Sequence, residues 1–387
     1  MKSIAVPFLT AVALMSGNPA LAQKTTASKS ADYTLLVTEL QSGLQSPWGM
    51  AFLPDKRLLI TQKAGQLLIV SADGKRIQVT LGNLPAVAKQ GQGGLLDVAL
   101  DPEFTNNGLV YWTYAEPGAG KEKGLSGTAV ARGRLQGDAL QSIQVIYRQK
   151  PKVQGNGHFG SRLVFAKDKT LYITLGDRQK FTPAQDMAQS LGKVVRINRD
   201  GSLPKDNPKW LHTRALPEIY SLGHRNPQGA ALHPLTGELW LSEHGPQGGD
   251  EINRVLPGRN YGWPTASYGC NYGEPVGEEC RLGGGKHAPK YIEPSSIWVP
   301  ISVAPSNLIF YSGQTFPKWQ GHVLMGTLAG TALWRVQFSG IREVKRERLL
   351  SELGERIRDV EQGPDGLVYL LTDSGKLLKI SPLPDRQ

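Results

Sequence analysis

Six times along the chain, a β-rich tetrad is followed by a shorter strand that opens near glycine or a charge. The tetrads occupy 58–61, 110–113, 171–174, 239–242, 323–326 and 368–371, and their companions 65–69, 133–135, 192–197, 252–255, 332–336 and 375–380. Upstream phrases at 48–52, 96–100 and 229–232 read as a preceding strand. Long amphipathic helical patterns are scarce, and glycine and proline punctuate the runs, with 45 Gly and 26 Pro. Short strands between turn residues predict an all-β fold. A sandwich has no need of six similar phrases. A six-bladed β-propeller of four-stranded antiparallel blades does, because each blade packs on its neighbours around a central channel. The spacing is irregular, about 45 to 85 residues, so some blades carry long insertions. Insertions and inner-strand ends on one face are where a site is expected.

The first residues are a separate unit. One lysine, Lys2, precedes an apolar run from Ile4 to Met15, and Ala20-Leu21-Ala22 precedes Gln23. This is the pattern of a secretory signal over 1–22, cleaved after Ala22. The run is too short to cross roughly 30 Å of hydrocarbon. Residues 23–387 are expected to form a single propeller domain, periplasmic or secreted, with no membrane span. The formal charge is +11, or +10 without Lys2. No Lys/Arg run tracks a phosphate backbone, so nucleic acid is not an expected partner, and a solvated basic surface suffices. The two cysteines, Cys270 and Cys280, lie close together in a Gly-rich stretch. In an oxidising compartment they read as one disulfide closing a short loop.

Fingerprints for nicotinamide, nucleotide phosphate, zinc-protease and serine-hydrolase chemistry are absent. Polar phrases at blade edges remain. In Asn156-Gly157-His158-Phe159-Gly160-Ser161-Arg162, a His lies between glycines, and Asp177 ends the next strand. A His oriented by a carboxylate is a candidate general base, although a lone loop His is more often structural or exposed. A second phrase is Gly223-His224-Arg225-Asn226-Pro227. A third runs from Glu243-His244-Gly245-Pro246 to Asp250-Glu251 and on to Tyr261. Carboxylates and exposed carbonyls suit calcium, but a Gly-rich hairpin with a solvated Asp–Glu pair would read the same. In Glu355-Arg356-Ile357-Arg358-Asp359, alternation puts two guanidinium groups on one face, fit for a carboxylate-bearing ligand or for solvent.

Together these phrases resemble the soluble glucose and aldose sugar dehydrogenases that use pyrroloquinoline quinone (PQQ), most closely the bacterial aldose branch. The likeness runs from 47–50 to 378–380, with several motifs in the same order. It implies a six-bladed propeller with PQQ and Ca²⁺ on one face. It implies that His158 is the catalytic base, oriented by Asp177, and that Arg225 stabilises developing charge. Gln92 of Gly91-Gln92-Gly93-Gly94-Leu95-Leu96, with Arg225, Asn226, Tyr272, Arg356 and Arg358, would contact the quinone. Main-chain oxygens of Gly245 and Pro246 would hold the calcium beside it, and Glu251 and Tyr261 a second one. The implied reaction is oxidation of an aldose at C1 to the lactone, with electrons passed to an external acceptor, by a monomer or homodimer. One departure is Ala329, where relatives carry a lysine that contacts the quinone. A calcium-dependent lactonase on the same propeller, or a non-enzymic ligand-binding propeller, are the competing expectations, and neither needs Gln92 or the paired arginines.

Overall fold

The computed structural model describes residues 24–211 and 214–383; the expected leader and Gln23 lie outside them. Six antiparallel sheets follow one another along the chain. Each tetrad is the second strand of a blade and each companion stretch the third. The first blade is built by Pro47–Phe52, Leu58–Gln62, Gln66–Val70 and Ile77–Leu81. The second comprises Leu95–Leu100, Leu109–Pro117, Ser126–Gln136 and Ala139–Arg148. The third to fifth blades start at the inner strands Leu163–Phe165, Pro227–Leu232 and Pro305–Phe310. The sixth starts at Ile357–Gln362 and is closed by Thr34–Gln41 from the other end of the chain, which pairs with Leu377–Pro382. That closure was not foreseen, nor was the short strand Arg259–Asn260, which adds in parallel to the edge of the third blade.

The first three residues of each tetrad are apolar rather than alternating because both faces of a blade are covered, as in any sheet buried on both sides. In the second blade Val110 and Trp112 point into the core shared with the first blade, and Tyr111 into the core shared with the third. The fourth blade repeats this, with Leu239 and Leu241 facing back and Trp240 facing forward. Six such inter-blade cores close the ring, the last joining Leu58 and Ile60 to Leu371 and Leu377.

Nearer the axis the seams are polar. Thr61 Oγ1 donates to Leu96 O. Thr113 Oγ1 donates to Ser161 O (2.8 Å), Thr174 Oγ1 to Pro227 O (3.0 Å), Ser242 Oγ to Ser306 O (2.7 Å) and Ser306 Oγ to Ile357 O (2.7 Å). Asp359 accepts from Met50 N at 2.8 Å and completes the circle. These bonds satisfy backbone groups that the sheets leave unpaired at the channel. They also fix the register of one inner strand against the next, which is what positions residues at the channel mouth.

Candidate active site

His158 stands on the loop entering the third blade, with φ +51°. Five of the non-glycine residues with positive φ, His158, Ser161, Arg178, Gln179 and Phe181, fall on this loop and the one facing it. Such backbone costs of order 1–3 kcal/mol per residue and persists where the surroundings over-determine it. Here the surroundings are close backbone: a Cβ on Gly176 would lie 2.1 Å from His158 O. Arg178 N and Asp177 N donate to the carbonyls of His158 (3.2 Å) and Arg225 (2.8 Å).

His158 Nδ1 donates to Asp177 Oδ1 at 2.6 Å. A carboxylate only accepts, so the Nε2 lone pair stays free, and Nε2 makes no hydrogen bond among the described residues. The other carboxylate oxygen of Asp177 accepts Trp263 Nε1–H at 2.8 Å, and Gln179 N adds a bond of 2.8 Å to Oδ1. Burial works to raise Asp177, but these bonds, led by that from His158, hold it below the usual carboxylate range. Burial is also the largest influence on His158; with the nearby Arg225 and Arg178 cations it outweighs Asp177 and holds the imidazole below its ordinary pKa. His158 is therefore a neutral base at neutral pH.

Around it the structure gathers most of the expected set. Gln92 Oε1 accepts His158 N at 2.8 Å. Arg225 lies over Trp263 (5.1 Å) and donates to Tyr272 Oη (3.3 Å) and His244 O (3.3 Å), while its buried Nε has no partner. Asn226 Oδ1 accepts Gly160 N at 3.2 Å, which ties the fourth blade to the His158 loop. Tyr272 stands at the rim, 72 % exposed, on the loop that the Cys270–Cys280 disulfide closes.

Arg356 precedes its strand and Arg358 lies within it, yet both pair with one carboxylate, Asp373, at 2.9 and 2.8 Å. Arg358 also donates to Gln228 Oε1 at 3.0 Å. Gln228 O in turn accepts Arg162 Nε at 2.9 Å. Arg162 forms the floor of the channel: it pairs with Asp97 (2.7 Å) and Asp359 (3.1 Å) and stacks on Trp48 at 4.3 Å.

Beside Arg225 is a small cavity of about 10 Å³, the space of one water or ion. Gly245, Glu251 and Tyr261 line it, with Glu243 and His287. Burial and the neighbouring Glu243 push Glu251 well above the usual carboxylate range. The Tyr261 hydroxyl is consumed by Arg254 O (2.6 Å) and Leu256 N (2.8 Å), which leaves its main chain as the group open to a cation. Pro246 O accepts the Ser302 hydroxyl at 3.2 Å. Among the described residues no three His, Cys, Asp or Glu side chains form a metal-holding group, so a calcium here would lean on main-chain oxygens. The two calcium sites that the resemblance implies are not separate here: Gly245 of the first lines the same cavity as Glu251 and Tyr261 of the second, and Pro246 lies outside the lining.

Sequence reasoning missed Trp263, Asp373, Gln228, His244 and Lys63. The ammonium of Lys63 bonds Gly91 O at 2.6 Å, and burial first, then the Arg358 charge, hold it below the ordinary lysine range. Ala329 lies exposed in a turn of the fifth blade.

The family model for glucose/sorbosone dehydrogenases matches residues 44–379. The aldose sugar dehydrogenase YliI of Escherichia coli (strain K12) is 42 % identical over 90 % of this chain and 93 % of its own. The crystal structure of the soluble aldose sugar dehydrogenase from Escherichia coli, in the apo-form, superposes with a TM-score of 0.84 at 40 % identity, over 90 % of this chain and all of that one. A PQQ-bound aldose sugar dehydrogenase from Streptomyces coelicolor superposes with a TM-score of 0.73 at 27 % identity, over 90 % of this chain and 98 % of that one. The chain belongs to the glucose/sorbosone dehydrogenase family.

Proposed function

We propose that the protein oxidises aldoses at C1 to the lactone with PQQ and calcium, outside the cytoplasm. The observation that carries this reading is the His158–Asp177 pair, whose free Nε2 faces the same mouth as a ring of cations from the first, fourth and sixth blades. PQQ is an acidic molecule, and the residues present fit it. Lys63, Arg225, Arg356 and Arg358 offset its carboxylates, and the unpaired Nε–H of buried Arg225 is a donor in need of an acceptor. Lys63 brings to the pocket a cation that Ala329 does not. The one-ion cavity lined by Glu243 and Glu251 offers a divalent cation carboxylate and main-chain oxygens, the donors calcium prefers. The Cys270–Cys280 disulfide supports a location in an oxidising compartment.

When bound, PQQ supplies the two-electron acceptor and calcium polarises it. The chain's part is to position and to move one proton. His158 Nε2 takes the proton of the anomeric hydroxyl as C1 loses its hydride. Asp177, pinned by Trp263 and Gln179 N, holds the ring in the tautomer that leaves Nε2 free and stabilises the imidazolium that forms. Arg225, buried over Trp263, offers its free Nε–H to negative charge developing in the pocket.

The test is dye reduction by purified apo-protein given an aldose panel with calcium alone, PQQ alone, or both. Reduction that needs both supports the reading. Absence of PQQ binding and of turnover across the panel would turn the balance to a lactonase or a binding propeller.

A further inference from the structure

Four loops on the mouth face are bonded into one surface. Ala88 N donates to Ala115 O (2.8 Å), Gln92 N to Asn156 O (2.7 Å), Ser126 N to Val153 O (2.9 Å) and Ser190 N to Lys150 O (2.8 Å). Arg178 locks the centre with bonds to Gly157 O (2.9 Å) and Ser126 O (2.7 Å). This surface belongs to the first three blades, and its charges are one-sided. Lys89, Lys121, Lys123, Lys150 and Lys180 are all exposed, and none has an ion-pair partner among the described residues. The acids of the same loops are already engaged. Glu116 pairs with Arg148 (2.9 Å) and Lys152 (2.8 Å), Glu122 with Lys152 (3.4 Å), and Asp177 with His158. Asp186 caps its own turn through Ala188 N and Gln189. Among the lysines sits an exposed aromatic, Phe181, 48 % accessible and 5.5 Å from the Trp263 ring beside the pocket. Across the mouth, the disulfide loop of the fourth blade carries exposed Glu274, Glu278 and Glu279 and no Lys or Arg between its cysteines, with Glu278 paired to Arg281 just beyond them at 3.2 Å.

An apolar centre within a charged rim is the anatomy of a transient protein interface, and a charge dipole across the mouth orients whatever docks there. We propose that this basic rim, centred on Phe181, docks an acidic one-electron carrier protein that serves as the electron acceptor. The proposal rests on the dehydrogenase reading, which leaves two electrons and two protons on the loaded enzyme for each sugar oxidised. A one-electron carrier removes them in two visits, one electron each, while the protons go to water. The ammonium groups are spread over four loops and do not converge, so a small anion has no cage here. An anionic membrane would meet the glutamates of the fourth blade and would cover the mouth through which sugar enters.

The probe is cytochrome c in two forms that share a redox centre and differ in surface charge: the native basic protein and its succinylated, acidic derivative. With PQQ- and calcium-loaded enzyme and saturating aldose at low salt, the acidic form should be reduced faster by at least about tenfold, within the 10–10³-fold range of electrostatic steering. The advantage should vanish toward 1 M salt, where the screening length falls to about 3 Å. The variant carrying Lys89→Glu, Lys121→Glu, Lys123→Glu and Lys180→Glu should reverse the preference. Its rate with benzoquinone, a small neutral acceptor, should match the wild type and thereby report an intact fold and site. Equal rates for the two cytochromes, faster reduction of the basic form, or reduction of neither would overturn the proposal. So would tight binding to phosphatidylglycerol vesicles without preference between cytochromes, which would make the rim a membrane contact. Failure of the wild type to reduce benzoquinone would instead overturn the dehydrogenase reading itself.

Discussion

Two histidines in this molecule look alike in sequence and nearly alike in space. His158 and His224 each follow a glycine on a loop entering a blade, and each is buried with Nδ1 on a carboxylate at a strand end. The distances are 2.6 Å to Asp177 and 3.0 Å to Glu243. The difference lies at the other nitrogen. His224 Nε2 accepts the Ser221 hydroxyl at 2.8 Å and its ring is stacked on Tyr261 at 4.7 Å, so every polar atom is spent. Among the described residues His158 Nε2 has no hydrogen-bond partner. A His–carboxylate pair is thus a structural strut or a base according to whether the far nitrogen is left free. The burial of Phe159 and the close approach of Gly176 keep it free by fixing where the His158 loop runs.

The sharpest way to break this comparison is to truncate both rings. His158→Ala should lower kcat by about 10²–10⁴-fold, the usual worth of a general base, while titration with PQQ shows binding close to wild type. His224→Ala should leave kcat within a few-fold of wild type. Its effect belongs to stability: Glu243 and Ser221 lose a buried partner, which costs about 1–3 kcal/mol in urea unfolding. If His224→Ala matched the kcat loss of His158→Ala at unchanged stability, the distinction would collapse.

The smallest effect lies on the pH axis. Burial, the largest influence, lowers the His158 pKa, so the active neutral base persists to below pH 6.5 and kcat/KM should fall only as pH drops further. Asp177 acts in the opposite direction, because its hydrogen bond and charge favour the imidazolium. In Asp177→Asn whatever activity remains should therefore show its acid limb at lower pH than wild type. A limb moved upward would mean that Asp177 does not face the titrating group.

The same contrast explains which features were legible in the sequence. The six tetrads could be read because burial on both faces forces at least three consecutive apolar residues, a local signature that survives irregular spacing. The closing strand Thr34–Gln41 could not, because it pairs with residues more than 330 positions away and its own pattern is unremarkable. His158, Asp177, Arg225, Asn226 and Gln92 were found through motifs. Their convergence at one mouth follows from the hydroxyl staples between inner strands, which set the angle and register of each blade. Trp263, Asp373 and Lys63 carried no local signal. Trp263 lies on a long excursion of the fourth blade, Asp373 in a hairpin turn and Lys63 in the first blade, and each acquires meaning only from the residue the fold brings against it.

The sequence by itself therefore determined the number of blades, the second and third strands of each and the residue types fit for proton transfer and anion binding. Those follow from periodicity and side-chain chemistry, which are local. The tertiary structure alone decided which of two histidines keeps a free lone pair, and which cations share a pocket with it. Those depend on ring closure and on contacts between blades, which no stretch of chain encodes alone.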